Sequence, residues 1–250
     1  MKTGMKTIGL LGGTSWPSTP LYYEYLNRKT AEYLGGHHAA EIILYSIDYH
    51  EIKSLYNAPH GWQKIPALLS EKMARLADMG PDCILICNNT LHRALPYILP
   101  LSGSDIPVID LIACTGRELQ EKGVRDVLLL GTKFTMEDGF FAQRLEQEYG
   151  LTVATPDAGD RSVIQEIQSA VSAGVKEADH GIRLARMVGE RYADHDAVIL
   201  ACTELPLIAA QKDYAVPLIN TIHAQCNAAL AFSLKRCENN YKQVASTAAF

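Results

Sequence analysis

DCILICNNT (Asp82–Thr90) and DAVILACTE (Asp196–Glu204) lie 114 positions apart and have the same shape. An acidic residue opens each. A short apolar run follows, and each ends in small polar groups. Runs this short, continuous rather than alternating, read as strands buried on both faces of a parallel sheet. Others read the same way: Thr7–Leu11, Ile42–Ile47, Cys83–Cys87, Val108–Leu111, Val127–Leu130, Thr152–Ala154, Ala197–Ala201 and Pro217–Ile219. Helical spacing appears between them, in Ile65, Leu68, Leu69, Met73 and Leu76, in Phe141, Leu145 and Tyr149, and in Ile182, Ala185 and Val188. Strand–helix alternation predicts an α/β fold with parallel sheets.

Two further matches keep nearly the same offset and order. Ile8-Gly-Leu-Leu-Gly-Gly resembles Val127-Leu-Leu-Leu-Gly-Thr, and Pro107-Val-Ile-Asp resembles Pro217-Leu-Ile-Asn. Together they predict two similar Rossmann- or flavodoxin-like α/β halves related by a pseudo-two-fold axis, with the active site in the cleft between them. The expected division is residues 1–113 with 221–250 for the first domain and 114–220 for the second.

The remaining composition narrows the function. The chain has 250 residues, 48% hydrophobic and 20% charged, with net charge −5, so nothing in it favours nucleic acid. No apolar run approaches the roughly 18 residues needed to span a bilayer, and Gly9, Gly12 and Gly13 interrupt the N-terminal apolar run, unlike a signal peptide. A cytoplasmic protein with no membrane partner is expected. Six scattered cysteines without CxxC spacing argue against a disulfide framework or a zinc site.

In open parallel sheets ligands bind beyond the carboxyl ends of the strands. The polar clusters found there are Gly12–Ser15, Asp48–His50, Asn88–His92, Gly131–Thr132 and Cys202–Glu204. Gly12-Gly13-Thr14-Ser15 is neither a P-loop nor a dinucleotide fingerprint. It reads equally as a tight turn, with Ser18 or Thr19 capping the next helix, and as a carboxylate site using Thr14 or Ser15. Asn88 alone reads as a turn or cap residue. The paired clusters Asn89-Thr90 and Thr203-Glu204 read as a site, because buried polar groups need partners. Cys202 is the best nucleophile or base. It ends a strand, where a following helix N-terminus would favour the thiolate. Cys83, Cys87, Cys114, Cys226 and Cys237 read as small buried hydrophobes, and His92 and His223 as structural.

The blocks IGLLGGTSWPST, SIDYHEI, CNNTLH, LLGTKFTM and ACTELPLI, in that order, resemble the aspartate/glutamate racemase family. The resemblance spans nearly the whole chain and is nearest the aspartate-racemase type, because Glu204 stands where glutamate racemases usually carry histidine. It implies a cofactor-independent, commonly dimeric amino-acid racemase with neither pyridoxal phosphate nor metal. Two cysteines would flank the substrate Cα, one removing its proton and the other returning it. Cys202 matches the second cysteine. Asn88 stands at the first, with Cys87 one residue earlier and therefore expected to face away. The implied substrate contacts are Thr14, Ser15, Tyr56, Asn89, Thr90, Leu91, Thr132, Ser162, Thr203 and Glu204. Ser162, beside Arg161, aligns where relatives often place a lysine for the distal carboxylate. Aspartate or glutamate is the expected substrate and a homodimer the expected assembly. Asn88 keeps two alternatives open: a single-cysteine lyase or isomerase of a small dicarboxylic acid, and a non-catalytic small-acid-binding homologue.

Overall fold

A computed structural model describes residues 4–56, 58–98, 105–175 and 177–247. The chain forms two parallel sheets. In the first, β1 (Ile8–Gly12) lies between β2 (Ile42–Ser46) and β3 (Cys83–Ile86), in the order β2-β1-β3. In the second, β4 (Asp126–Gly131), β5 (Thr152–Ala154), β6 (Ala197–Ala201) and β7 (Leu218–Asn220) stand in the order β5-β4-β6-β7. The helices are α1 (Thr19–Leu34), α2 (His50–Leu55), α3 (Gly61–Ala77), α4 (Leu95–Ile98), α5 (Leu111–Glu121), α6 (Lys133–Glu137), α7 (Phe140–Tyr149), α8 (Ala158–Ser172), α9 (Ala178–Arg191) and α10 (Thr221–Thr247).

The two sheets are built alike. The Ile84 N–H donates to the Pro107 carbonyl at 2.9 Å, and Val198 donates to Pro217 at 2.9 Å. Val108 thus bridges to Ile84 where Leu218 pairs with Val198 in β7. The expected strand Val108–Leu111 is only this bridge. Asp110 accepts the N–H groups of Ile112 and Ala113, capping α5 and turning the chain out of the sheet. Asn220 does the same for Ile222 at the start of α10. Asp82 and Asp196 also correspond: each carboxylate accepts backbone N–H groups at the entrance of the neighbouring strand, Thr7 in one case and Arg125 with Asp126 in the other.

Each sheet is covered on both faces. Ile8, Leu10 and Leu85 pack with Tyr22 and Leu26 of α1 and with Ile222, Cys226 and Ala229 of α10. Leu11, Ile84 and Ile86 pack with Ile65, Leu69 and Met73 of α3. In the second sheet, Val127, Leu129 and Ile199 meet Phe141 and Leu145 of α7, while Leu128, Leu130 and Val198 meet Leu184 and Val188 of α9. Full burial of one such side chain stabilises by about 1.5–3 kcal/mol. Of the expected α9 stripe, Val188 is buried and Ala185 packs against the core, whereas Ile182 is exposed and Leu184 takes the inward place.

Candidate active site

A cavity of about 490 Å³ opens at the carboxyl ends of the strands. Thr14 follows β1, Asn88, Asn89 and Thr90 follow β3, Thr132 follows β4, and Cys202, Thr203 and Glu204 follow β6; all line it. Tyr49, Lys53 and Tyr56 close it from around α2, and Lys133, Phe134 and Glu137 from α6. The turn after β1 depends on Gly13, whose φ of +81° and contact with the Ile47 backbone leave no room for a side chain.

Side-chain bonds join the two halves at the cavity floor. Ser18 Oγ donates to Thr203 Oγ1 at 2.9 Å, and Thr90 Oγ1 lies 3.2 Å from both Thr132 Oγ1 and Thr135 Oγ1. Ser18 makes no capping bond to the N–H groups of α1, and its Oγ also lies 3.1 Å from the Ser15 carbonyl. Thr19 is used elsewhere too, its Oγ1 accepting from Gly13 N at 3.0 Å. At the rim, Trp62 of α3 stacks on Phe134 of α6 at 4.4 Å and on Tyr56 at 5.2 Å. Arg93 lies 4.7 Å over the Trp62 ring and donates to Asp138 at 2.9 Å.

Asn88 reaches the cavity wall, but its amide is taken. Nδ2 donates to the Thr14 carbonyl and Oδ1 accepts the Leu91 N–H, each at 2.9 Å. Cys87 packs behind it in the core with Tyr22 and Cys226, and burial pushes its thiol well up. Asn89 is the opposite case. It is buried on the cavity wall, and neither its oxygen nor its nitrogen has a partner. Cys202 is buried, and its Sγ donates to Glu204 Oε2 at 2.8 Å. Burial first, then the Glu204 charge, raises its pKa well above that of an ordinary thiol. The favourable helix terminus expected beside it is only a three-residue turn, Leu205–Leu207. Glu204 Oε2 also accepts from Thr203 Oγ1 at 3.1 Å.

Three expected contacts do not reach the cavity. Ser15 is buried beneath the turn at φ 134°, with its hydroxyl unpartnered. Leu91 lies in the core with Ile65 and Leu95. Ser162 is exposed and donates to the Ala158 carbonyl; it sits one turn too early on α8. Gln165, Gln168, Ser169 and Ser172 of that helix line the cavity instead. Their i, i+3, i+4, i+7 spacing is a polar stripe visible in the sequence. Lys53 and Lys133 were missed as well, each being a single basic residue on a short helix that the strand-end clusters do not include. Both are exposed on the cavity wall, and neither enters an ion pair among the described residues.

Among the described residues no group of three or more His, Cys, Asp and Glu side chains is placed to hold a metal, and no helix is long and apolar enough to cross a membrane. His92 is structural: its Nδ1 bonds the Asn88 carbonyl at 2.8 Å and its Nε2 accepts the Leu111 N–H at 3.2 Å.

The fold is shared with known proteins. The structure is similar to that of a protein from Yersinia pestis assigned as an Asp/Glu racemase, with 34% identity, a TM-score of 0.81, and coverage of 92% of this chain and 100% of that one. It is also similar to an aspartate racemase homologue from Pyrococcus horikoshii, with 29% identity, a TM-score of 0.76 and the same coverage. Glutamate racemase from Francisella tularensis, solved with D-glutamate, shares the fold at 18% identity and a TM-score of 0.63, over 93% of this chain and 83% of that one. The Asp/Glu/Hydantoin racemase family model matches residues 11–229. The chain belongs to the Asp/Glu/Hydantoin racemase family.

Proposed function

We propose that the protein is a racemase of aspartate or glutamate that works without a cofactor, removing and returning the Cα proton with Cys202 as one acid/base. The observation that carries this reading is Asn89. An amide buried on a cavity wall with both ends unpartnered is costly unless a ligand completes it. Its nitrogen can donate to a carboxylate and its oxygen can accept from an ammonium group. Asn89 and Cys202 line the same cavity, so an α-amino acid held by Asn89 shares that space with the thiol. Lys53 and Lys133 supply positive charge for a second carboxylate.

Pseudo-two-fold halves divided as 1–113 with 221–250 and 114–220, a homodimeric assembly and a cytoplasmic location belong to the same proposal. The repeated sheet order and the packing of α10 on the first sheet support the division. The other two rest on the sequence resemblance.

One observation favours a second reading, a single-thiol lyase or isomerase of a small dicarboxylic acid: the group at Asn88 is an amide, which neither gains nor loses a proton readily and is held by the Thr14 carbonyl and the Leu91 N–H, so that position offers no acid/base opposite Cys202. Incubating each enantiomer of aspartate and glutamate in heavy water separates the two. The racemase reading expects deuterium at Cα with inversion, whereas exchange without inversion, or loss of a carboxyl group, supports the second.

A further inference from the structure

One wall of the cavity is still without a role. Helix α8 turns Gln165, Gln168, Ser169 and Ser172 toward it, and none of the four carries a charge. The basic residue of that helix nearest to them, Arg161, is committed elsewhere. It donates to Glu137 Oε1 at 3.0 Å and to the Pro156 carbonyl at 2.6 Å. Lys53 and Lys133 stand on other elements of the lining and are exposed, so water and salt screen them.

The orientation of the amides follows from one backbone group. The Lys133 N–H can only donate, and it lies 2.7 Å from the end of the Gln165 side chain, so that end is the oxygen. The Gln165 nitrogen then donates to Gln168 at 2.9 Å and to Ser169 Oγ at 3.0 Å. Gln168 meets that donor with its oxygen, which turns its own nitrogen away. Gln165 is thus spent on tying α8 to α6. Gln168 is not: it is 9% exposed, it lines the cavity, and its Nε2 has no partner among the described residues. A buried amide donor in this state is costly unless a ligand completes it. Ser169, whose oxygen accepts from Gln165, and Ser172 on the next turn add hydroxyl donors to the same wall. At about 1.5 Å of rise per residue, Gln168 to Ser172 spans about 6 Å, more than one carboxyl group fills.

Neutral donors do not select for charge. An amide N–H or a hydroxyl bonds the oxygen of a carboxylate and equally that of a carboxamide. A carboxamide also brings two N–H groups of its own. Acceptors for them lie on the same lining, in the Ser172 hydroxyl and the Glu137 carboxylate, and the latter repels a second carboxylate.

We propose that Gln168, with Ser169 and Ser172, forms a subsite for an uncharged carboxamide, so that the protein acts on glutamine or asparagine as well as on the dicarboxylic acids. The reaction rests on the racemase reading; the subsite does not.

The test follows deuterium entering Cα in heavy water from both enantiomers of glutamine, asparagine, glutamate and aspartate. At least one carboxamide should exchange with a kcat/KM within about tenfold of its dicarboxylic counterpart. If both fall below that, while glutamate or aspartate exchanges, the subsite is overturned and the racemase stands. Gln168→Glu replaces the donor by a negative charge of the same size. It should raise the ratio of carboxamide to carboxylate kcat/KM at least about tenfold. An unchanged ratio in a folded variant overturns the role of Gln168. If that variant does not fold by circular dichroism, Gln168→Met removes the donor without adding charge and should raise the KM for the carboxamide more than it lowers kcat; an unchanged KM overturns the role of Gln168. If no amino acid of the four exchanges in the unaltered protein, the racemase reading fails. The subsite is then read by calorimetry as the ratio of glutamine to glutamate affinity: an increase of about tenfold in Gln168→Glu supports it, and no change overturns it.

Discussion

The side chain of Asn88 holds the backbone of Thr14: its amide nitrogen donates to the Thr14 carbonyl at 2.9 Å and so ties the loop after β3 to the loop after β1. Its oxygen meanwhile holds the Leu91 N–H. Asn88 stands in the first half where Cys202 stands in the second, yet its groups are spent on architecture. Asn88→Cys places a thiol at the cavity but leaves two buried backbone groups unpaired. The variant should lose about 2 kcal/mol, or roughly 4–8 °C in Tm for a chain of this size. A Tm equal to that of the parent would show that these bonds carry no weight.

Cys202 and Cys87 should separate cleanly. Cys202→Ala is expected to abolish Cα deuterium exchange from both enantiomers. Cys87→Ser buries a hydroxyl among Tyr22, Leu10 and Cys226, which costs about 1–3 kcal/mol, and should leave the exchange rate within a few-fold. Equal loss in both, with both variants folded by circular dichroism, would place Cys87 in the chemistry.

The stack of Trp62 on Phe134 gives a direct optical reading of whether the halves are together. The chain has two tryptophans, and Trp16 is 70% exposed, so it contributes a red-shifted, nearly constant background. Phe134→Ala should shift Trp62 emission to longer wavelength and raise the KM for aspartate or glutamate more than it lowers kcat, because it loosens the rim without touching Cys202. An unchanged spectrum would mean that the rings do not stack in solution.

Acid should weaken the first half through His92. Burial lowers its folded pKa below 6.5. A group depressed in this way contributes stability that is complete above its unfolded pKa and is lost as pH falls from about 6.5 through the folded value. Charging the ring also turns Nε2 from acceptor to donor and breaks its bond from the Leu111 N–H. Thermal unfolding should therefore show Tm falling between about pH 6.5 and 5 in the parent, and less steeply in His92→Gln. Parallel slopes would assign the acid loss elsewhere, His223 being the next candidate, since burial and the nearby Arg28 and Lys29 lower its pKa to about 4.

The fold was largely legible because strands such as Val127–Leu130 and Ala197–Ala201 must be apolar on both faces, and that demand is written residue by residue. Val108–Leu111 misled because its apolar run resembles a strand, while the deciding act is the Asp110 cap on two N–H groups beyond it. The Asn89, Thr90 and Thr203 positions were legible as polar groups ending buried runs. Ser162 was not placed correctly, because a helix face is set by packing, and α8 turns Gln165 and Ser169 to the cavity one turn later. Nor could the state of Cys202 be read. Residues two apart on an extended strand share a face, but the 2.8 Å contact with Glu204 depends on how the chain bends after β6.

The chain leaves the first sheet after Val108 and returns to its core through α10, passing Asp110 on the way out and Asn220 on the way back. At both passages the side chain accepts the N–H two residues ahead, at 2.9 Å and 3.0 Å. Two crossings, each pinned by its own side chain, set the directions in which α5 and α10 leave the strands, so the joint between the sheets is written into two short polar groups rather than left to the loops.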